Sequence, residues 1–327
     1  MEGGAPPRRG RTVVCSELSP WNTAAYAVLM IRAHLPKLAV LLMLAALFLS
    51  QPIAAQTEIP SSAVTLNPAV VEAGSPELIR VAVPGSQDVT GEWLGKKLLF
   101  FQGSDGHSWY ALAGLDVEAP IGPSTLKIEV KHGTSLSQLN LPIEIYPAKY
   151  RTEAISVAPR FVEPNPQDLK QIKAEVELKT EVFAVSAPKP LWHGSFRAPV
   201  IAPATDSFGV RRTYNGTLAG IHKGMDFRAR MGTPVRASNN GMVVLARRLY
   251  YEGNCVVIDH GLGLYTLSMH LSRIYVREGQ HVETGQRLGL SGATGRVTGP
   301  HLHWAVRWEG AYLDPAKLLK LNLSALR

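Results

Sequence analysis

From about residue 206 onward, glycine interrupts short apolar runs so often that β-strands and turns fit and long helices do not. Met242-Val243-Val244-Leu245-Ala246, Val256-Val257-Ile258, Tyr265-Thr266-Leu267 and Leu302-His303-Trp304-Ala305-Val306 are the strand candidates. Two of the motifs in this β-rich stretch carry metal-ligand residue types. One is Ile221-His222-Lys223-Gly224-Met225-Asp226-Phe227 and the other Gly299-Pro300-His301-Leu302-His303-Trp304. Side chains at i and i+2 of a strand share a face, so His301 and His303 can converge on one point. The helical zinc-protease motif His-Glu-x-x-His occurs nowhere in the chain. Gly224 inside the first motif, with Gly232-Thr233-Pro234 soon after, favours a loop-to-strand setting for His222 and Asp226. A His, Asp, His set fits zinc and leaves a fourth position for water, which is a catalytic arrangement, not a closed structural one.

At these residues the sequence resembles the lysostaphin/LytM-type zinc endopeptidases, which cut peptide stems or cross-bridges of bacterial peptidoglycan. The similarity runs from about Asp206 to Pro315. It takes in Phe208-Gly209, His222-x-Gly224-x-Asp226, Val257-Ile258-Asp259-His260-Gly261 and His270-Leu271-Ser272. Further on it includes Gly279-Gln280, Gly285-Gln286 with Leu288-Gly289, and the run from Ser291-Gly292-Ala293 through Gly299-Pro300-His301-Leu302-His303. The resemblance implies His222, Asp226 and His303 as zinc ligands, with His301 and His270 as the two catalytic histidines that do not bind metal. It also implies an antiparallel β-fold with an open groove and the metal at its floor. One departure is Ser268, where the family usually carries an aromatic residue two places before the catalytic histidine. Relatives that serve only as cell-wall regulators, such as amidase activators or envelope scaffolds, typically lack ligands. The intact set of five points to an enzyme over that alternative.

Zinc held by two imidazoles and a carboxylate lowers the pKa of bound water to about 7. No glutamate adjoins a ligand, so the proton acceptor and the oxyanion partner must come from histidine, which titrates near neutrality. His301, two residues from a ligand, is the expected base, and His270 the expected partner of the oxyanion. Arg296 and Thr298 flank the approach to His301 and are candidates for the groove wall. His260, in a turn between apolar runs, reads as structural, and His281, in a polar alternating stretch, as solvated. His34, His107, His132 and His193 have no motif around them. The pattern Val276-x-x-Gly279-Gln280-x-Val282-x-x-Gly285-Gln286 also occurs in lipoyl and biotinyl carriers, but no carrier lysine stands in a tight turn there.

Residues 30–56 read as a secretory signal. Arg32 and Lys37 precede an apolar run over residues 38–50, and Ile53-Ala54-Ala55 offers a small-residue cleavage site. The run is short for a membrane span, which needs about 20 residues. Translation is expected to start at Met30, with cleavage after Ala55, placing the mature protein in the periplasm or cell envelope or outside the cell. Cys255 would then be the sole remaining cysteine, a small buried hydrophobe that forms no internal disulfide. The net charge of +8 falls to about +5 once the five basic and two acidic residues of 1–55 are removed. That balance suits an anionic envelope, and no nucleic-acid motif accompanies it.

The expected organisation is mainly β. An N-terminal extension and signal over 1–55 precede an accessory β-sandwich over 60–148, whose short β-type runs include Leu78-Ile79-Arg80-Val81-Ala82-Val83, Leu98-Leu99-Phe100-Phe101 and Leu126-Lys127-Ile128-Glu129-Val130.

 The sandwich is expected to be immunoglobulin-like. A linker over 149–203 carries one helix at about 165–185, with Asn165 as N-cap and Pro166 in the first turn. Leu169, Ile172, Val176 and Phe183 recur along it at helical spacing. A proline-rich connector over 187–203 leads to the zinc peptidase domain over 204–320, of barrel-sandwich-hybrid-like, lysostaphin type. A short helix is expected to follow Asp314-Pro315.

Overall fold

The computed structural model describes residues 58–206 and 208–323. The expected start at Met30, the signal segment, the cleavage site after Ala55 and Cys15 lie outside the described residues.

Residues 64–146 form two sheets. One orders the strands Val64–Asn67, Pro76–Ala82, Ser108–Gly114 and Phe101–Gln102. The other orders Val71–Glu72, Ser135–Tyr146, Gly122–His132, Asp88–Trp93 and Lys96–Leu99. Alternation sets the faces: Leu126, Ile128 and Val130 are buried, whereas Lys127 and Lys131 between and beside them are exposed. The three apolar side chains join Ile79 and Val81 of the first sheet in one core. The run Leu98-Leu99-Phe100-Phe101 is not one strand. It breaks at Phe100, so that Lys96–Leu99 lies in one sheet and Phe101–Gln102 in the other. An apolar run marks burial on its own, but it does not mark where the chain crosses between layers.

Helix α1, Pro166–Phe183, begins as its sequence requires: the Asn165 side chain accepts from Asp168 N at 2.9 Å and Pro166 occupies the first turn. Its contact face follows the apolar repeat only in part. Leu169 and Val176 are 53% and 54% exposed, while Leu178, Val182 and Phe183 pack on the second core cluster. Polar side chains do part of the docking, which apolar periodicity does not register. Asp168 accepts from the Tyr250 hydroxyl at 3.0 Å, Glu175 accepts from Tyr250 N at 2.8 Å, and Lys179 pairs with Glu252.

The C-terminal region is built on a sheet ordered Ala204–Asp206, Met225–Phe227, Leu302–Trp308, Leu264–Leu271, Gly253–Asp259, Gly241–Leu249 and His281–Val282, with Ala311–Leu313 paired to Leu302–Trp308. Every residue of Leu264–Leu271 is buried, as expected for a central strand. Beside this sheet, Thr152–Ile155 pairs in parallel with Arg211–Tyr214, which forms a hairpin with Thr217–Ile221. The connector has no strand or helix after α1, yet it buries Trp192, Phe196 and Val200. Helix α2, Pro315–Lys320, is capped by the Asp314 side chain on Ala316 N at 2.8 Å. Asp314 N also donates to Gly74 O at 2.7 Å, and Lys317 pairs with Glu72 at 2.6 Å. Through these contacts the C-terminal segment meets the first pair of sheets. Gly114 has no space for a side chain, because a Cβ there would lie 2.5 Å from the Leu313 side chain.

Near this junction Glu77 is fully buried, held by a hydrogen bond from the Ser75 hydroxyl. Burial pushes its carboxyl up to about 8, against the lowering effects of Ser75 and Lys317. The folded protein therefore keeps a proton on Glu77 that the unfolded chain releases above about 4.3. Stability from this group is full below that pH and is lost as pH rises towards 8, at about 1.4 kcal/mol per unit. Glu77→Gln is expected to flatten this loss in urea-unfolding free energies measured between pH 5 and pH 8 (a range set by the two pKa values). An unchanged slope would refute the assignment.

Candidate metal centre

Three backbone elements bring the candidate ligands together. His222 follows the strand Thr217–Ile221, and its amide donates to Val210 O at 2.8 Å. Asp226 is the middle residue of Met225–Phe227, and antiparallel pairing sets it directly opposite His303 on Leu302–Trp308. Directly opposed residues share a face. The register thus turns a separation of 77 residues into a contact: His303 Nδ1 lies 2.9 Å from Asp226 Oδ1. His222 Nε2 lies 2.9 Å from His303 Nδ1 and 3.2 Å from Asp226 Oδ1. Gly224 makes this closeness possible, since a Cβ there would fall 2.4 Å from His303 Nε2. The spacing His222-x-Gly224-x-Asp226 therefore has a steric cause.

The donor set fits zinc. All three ligand atoms lie within 4.8 Å of one another and belong to buried or half-buried residues. A tetrahedral zinc with bonds of about 2.0–2.1 Å needs neighbouring ligands roughly 3.3 Å apart, close to the distances found. Burial pushes the His303 imidazole down to about 4, keeping it neutral as a metal ligand must be. Burial alone would raise the Asp226 carboxyl, but hydrogen bonds from His222 and His303 outweigh it and hold Asp226 well below the usual carboxylate range. Its second oxygen, Oδ2, accepts from Arg212 Nη2 at 3.0 Å. Arg212 lay outside the sequence-based expectations, because only the hairpin Arg211–Tyr214 with Thr217–Ile221 carries it to Asp226, and no local motif announces that.

His270 and His301 stand beside this cluster, with ring centroids 5.0 Å apart and the His270 ring 5.9 Å from that of His303. His301 Nδ1 donates to Gly299 O and His270 Nδ1 to Thr294 O, both at 2.8 Å. A carbonyl oxygen only accepts, so in the neutral rings both Nε2 atoms carry lone pairs. His301 Nε2 lies 3.7 Å from Asp226 Oδ1. His270 reaches the groove by a local twist. Its neighbour Met269 is the residue opposite His303, so regular alternation would send His270 to the other face. His270 instead has φ +61, in the left-handed region, and Met269 and His270 both line the groove. Such a conformation is uncommon for a residue other than glycine and collects at functional sites.

The groove consists of two cavities of about 260 Å³ and about 270 Å³ that share Arg212, Tyr214, His270, Arg296 and His303 as walls. Arg296 and Thr298 line it, as expected. The linker strand Thr152–Ile155 contributes Glu153 and Ile155 to the second cavity, a contribution that parallel pairing across some 60 residues hides from the sequence. His260 is structural: fully buried, it has Nδ1 2.7 Å from Asn240 O and Nε2 2.8 Å from Thr266 Oγ1. His281 is exposed, and Cys255 is buried among apolar side chains that push its thiol up.

The sequence profile of peptidase family M23 matches residues 220–315, the stretch that holds all five site residues. The C-terminal region belongs to the M23 peptidase superfamily. The chain is similar to the peptidoglycan DD-endopeptidase ShyA of Vibrio cholerae, with 50% identity over 120 residues, 36% of this chain and 27% of that protein. It is also similar to the DD-carboxypeptidase/endopeptidase Mpg of Neisseria meningitidis, with 43% identity over 98 residues, 30% of this chain and 23% of that protein. The chain thus matches about a quarter of the length of these curated relatives. A crystal structure of a Pseudomonas aeruginosa protein proposed to be an M23 peptidase superposes with a TM-score of 0.59 at 29% identity. It covers 76% of this chain and 94% of that one, so the likeness extends well beyond the M23 region into the segments before it.

Proposed function

We propose that this protein is a zinc-dependent endopeptidase that hydrolyses cross-linked peptide stems of bacterial peptidoglycan, at a bond of the D,D type. The observation that carries the reading is the convergence of His222, Asp226 and His303 beside two further histidines whose Nδ1 atoms are held by carbonyls, which leaves the lone pair of each neutral ring on Nε2. Similarity to proteins named peptidoglycan DD-endopeptidases supports the substrate class. The zinc, when bound, would supply Lewis acidity to the attacking water and the scissile carbonyl. His301 Nε2 takes the proton of the water as its oxygen adds to the carbonyl carbon. The C–N bond then breaks, and the proton passes to the leaving amine. His270 faces the oxyanion. Its Nδ1 is committed to Thr294 O, so it would donate there only with a second proton on Nε2, a form disfavoured by burial, which pushes the imidazole down to about 3. Peptidoglycan lies outside the cytoplasm, so the export signal read at residues 30–56 belongs to the same proposal. Among the described residues, no helix is long and apolar enough to cross a membrane. The two sheets of residues 64–146 are proposed to be an immunoglobulin-like accessory sandwich.

Digestion of purified sacculi, with bound metal quantified and released muropeptides identified by mass spectrometry, tests the reading. Peptide-cleaved products that require zinc would support it, and a zinc-loaded protein that releases none would overturn it.

Arg212 gives a separate prediction. By holding Asp226 Oδ2 it orients the carboxylate so that Oδ1 faces the two imidazoles. Losing such outer support costs about 10–100-fold in metal affinity. Arg212→Gln is expected to show that loss in competition with a chromogenic chelator, and Arg212→Lys to recover part of it. Unchanged affinity in both variants would remove Arg212 from this role.

A further inference from the structure

Arg296 has a setting that neither the ligand set nor the two histidines explain. Its guanidinium carbon lies 4.5 Å from the ring centroid of Tyr214 and 4.5 Å from that of Tyr251, so the group is sandwiched between two aromatic faces. Among the described residues, no acceptor hydrogen-bonds its side chain and no carboxylate pairs with it, although Glu153 lines the same cavity. The stacking fixes the plane of the guanidinium and leaves its N–H edge open to the groove that also holds His270, His301 and His303.

The mounting is rigid. Arg296 N donates to Tyr251 O at 2.8 Å. Gly295, with φ +77, packs so closely that a Cβ would lie 2.3 Å from Gly253 N. Thr294 accepts from Asn254 N at 2.9 Å, donates to Leu271 O at 2.8 Å, and its carbonyl holds His270. Tyr251 is backed by Tyr250 in edge-to-face contact and by Phe161 in a tilted one. The short segment that orients His270 therefore also presents Arg296. A planar cation with unpaired donors, fixed before the ligand arrives, suits a carboxylate that accepts two parallel hydrogen bonds.

We propose that Arg296, clamped between Tyr214 and Tyr251, is a carboxylate-recognition subsite that reads a free main-chain carboxylate on the stem peptide beside the bond to be cut. The inference rests on the peptidase reading of the groove and names what that groove selects. A charge-assisted bidentate contact predicts a preference of about 10–100-fold for the free acid over its amide.

The test uses the zinc-loaded protein and two synthetic cross-linked stem-peptide dimers. They differ only in whether the carboxylate flanking the linked bond is free or a primary amide. Wild type is expected to cleave the free acid with the higher kcat/KM, mainly through KM. Arg296→Gln should erase the difference while keeping its zinc, and Arg296→Lys should restore part of it. Calorimetric binding of both dimers gives a readout that needs no turnover. Cleavage without discrimination would overturn the clamp and leave the peptidase. Discriminating binding that depends on Arg296, but without cleavage, would do the reverse. Equal binding of the two dimers, or binding of neither, overturns the clamp.

Discussion

His303→Ala is expected to lose both the metal and all cleavage above background, whereas His301→Ala, two residues away, is expected to keep the metal and lose the chemistry. The two side chains lie at the same end of one strand but do not share a role. His303 Nδ1 stands within 2.9 Å of both Asp226 Oδ1 and His222 Nε2, so its removal leaves two ligands, too few to hold a catalytic zinc. His301 Nε2 is 3.7 Å from Asp226 Oδ1 and its Nδ1 is tied to Gly299 O, a geometry that suits proton transfer. Removing a positioned base costs about 10²–10⁴-fold in rate. Metal content by atomic emission, measured beside muropeptide release, separates the two variants. Stoichiometric zinc in His303→Ala, or near-wild-type turnover in His301→Ala, would show that the assignments are wrong.

Gly224→Ala is expected to damage the centre without removing a single ligand. The new methyl group would lie 2.4 Å from His303 Nε2, 2.6 Å from its Cε1 and 2.8 Å from the Trp304 carbonyl. The carbonyl belongs to a central strand and cannot yield, so the His303 ring must turn away from Asp226 and His222. Overpacking of this kind costs about 1–3 kcal/mol of stability. The displaced ring adds a loss of zinc affinity of about 10–100-fold or more, as for lost outer support. Gly299→Ala is the control, because a Cβ there meets nothing within 4 Å. Chelator competition and urea unfolding on both variants check the pair. Equal zinc affinity in Gly224→Ala and wild type would mean that His303 can reorient freely and that its packing against Gly224 has no bearing on the metal.

How far the site could be read from the sequence depended on the range of the signal. His222, Gly224 and Asp226 lie within one loop-to-strand transition, and His301 and His303 at one end of a strand, so short-range geometry already limits where they point. The strands themselves were legible, with Met242-Val243-Val244-Leu245-Ala246 inside Gly241–Leu249 and Leu302-His303-Trp304-Ala305-Val306 inside Leu302–Trp308. The cap of α1 was legible too, since Asn165 and Pro166 act on their nearest neighbours. Its docking face was not. Leu169 and Val176 turned outward because Asp168, Glu175 and Lys179 make contacts that depend on where Tyr250 and Glu252 stand.

By itself, the sequence determined the β-rich character of the C-terminal region, the ligand types and the local alternation that points His301 and His303 the same way. Hydrophobic period, glycine punctuation and capping act over a few residues and are written in the order of the chain. Tertiary structure alone decided the rest. Antiparallel register set Asp226 against His303, and a left-handed residue swung His270 into the groove beside Met269. Hairpin and strand pairing carried Arg212 to Asp226 and closed Tyr214 and Tyr251 around Arg296. Those placements depend on which strands pair and in what register, which the buried faces settle together across the whole core and no single segment specifies.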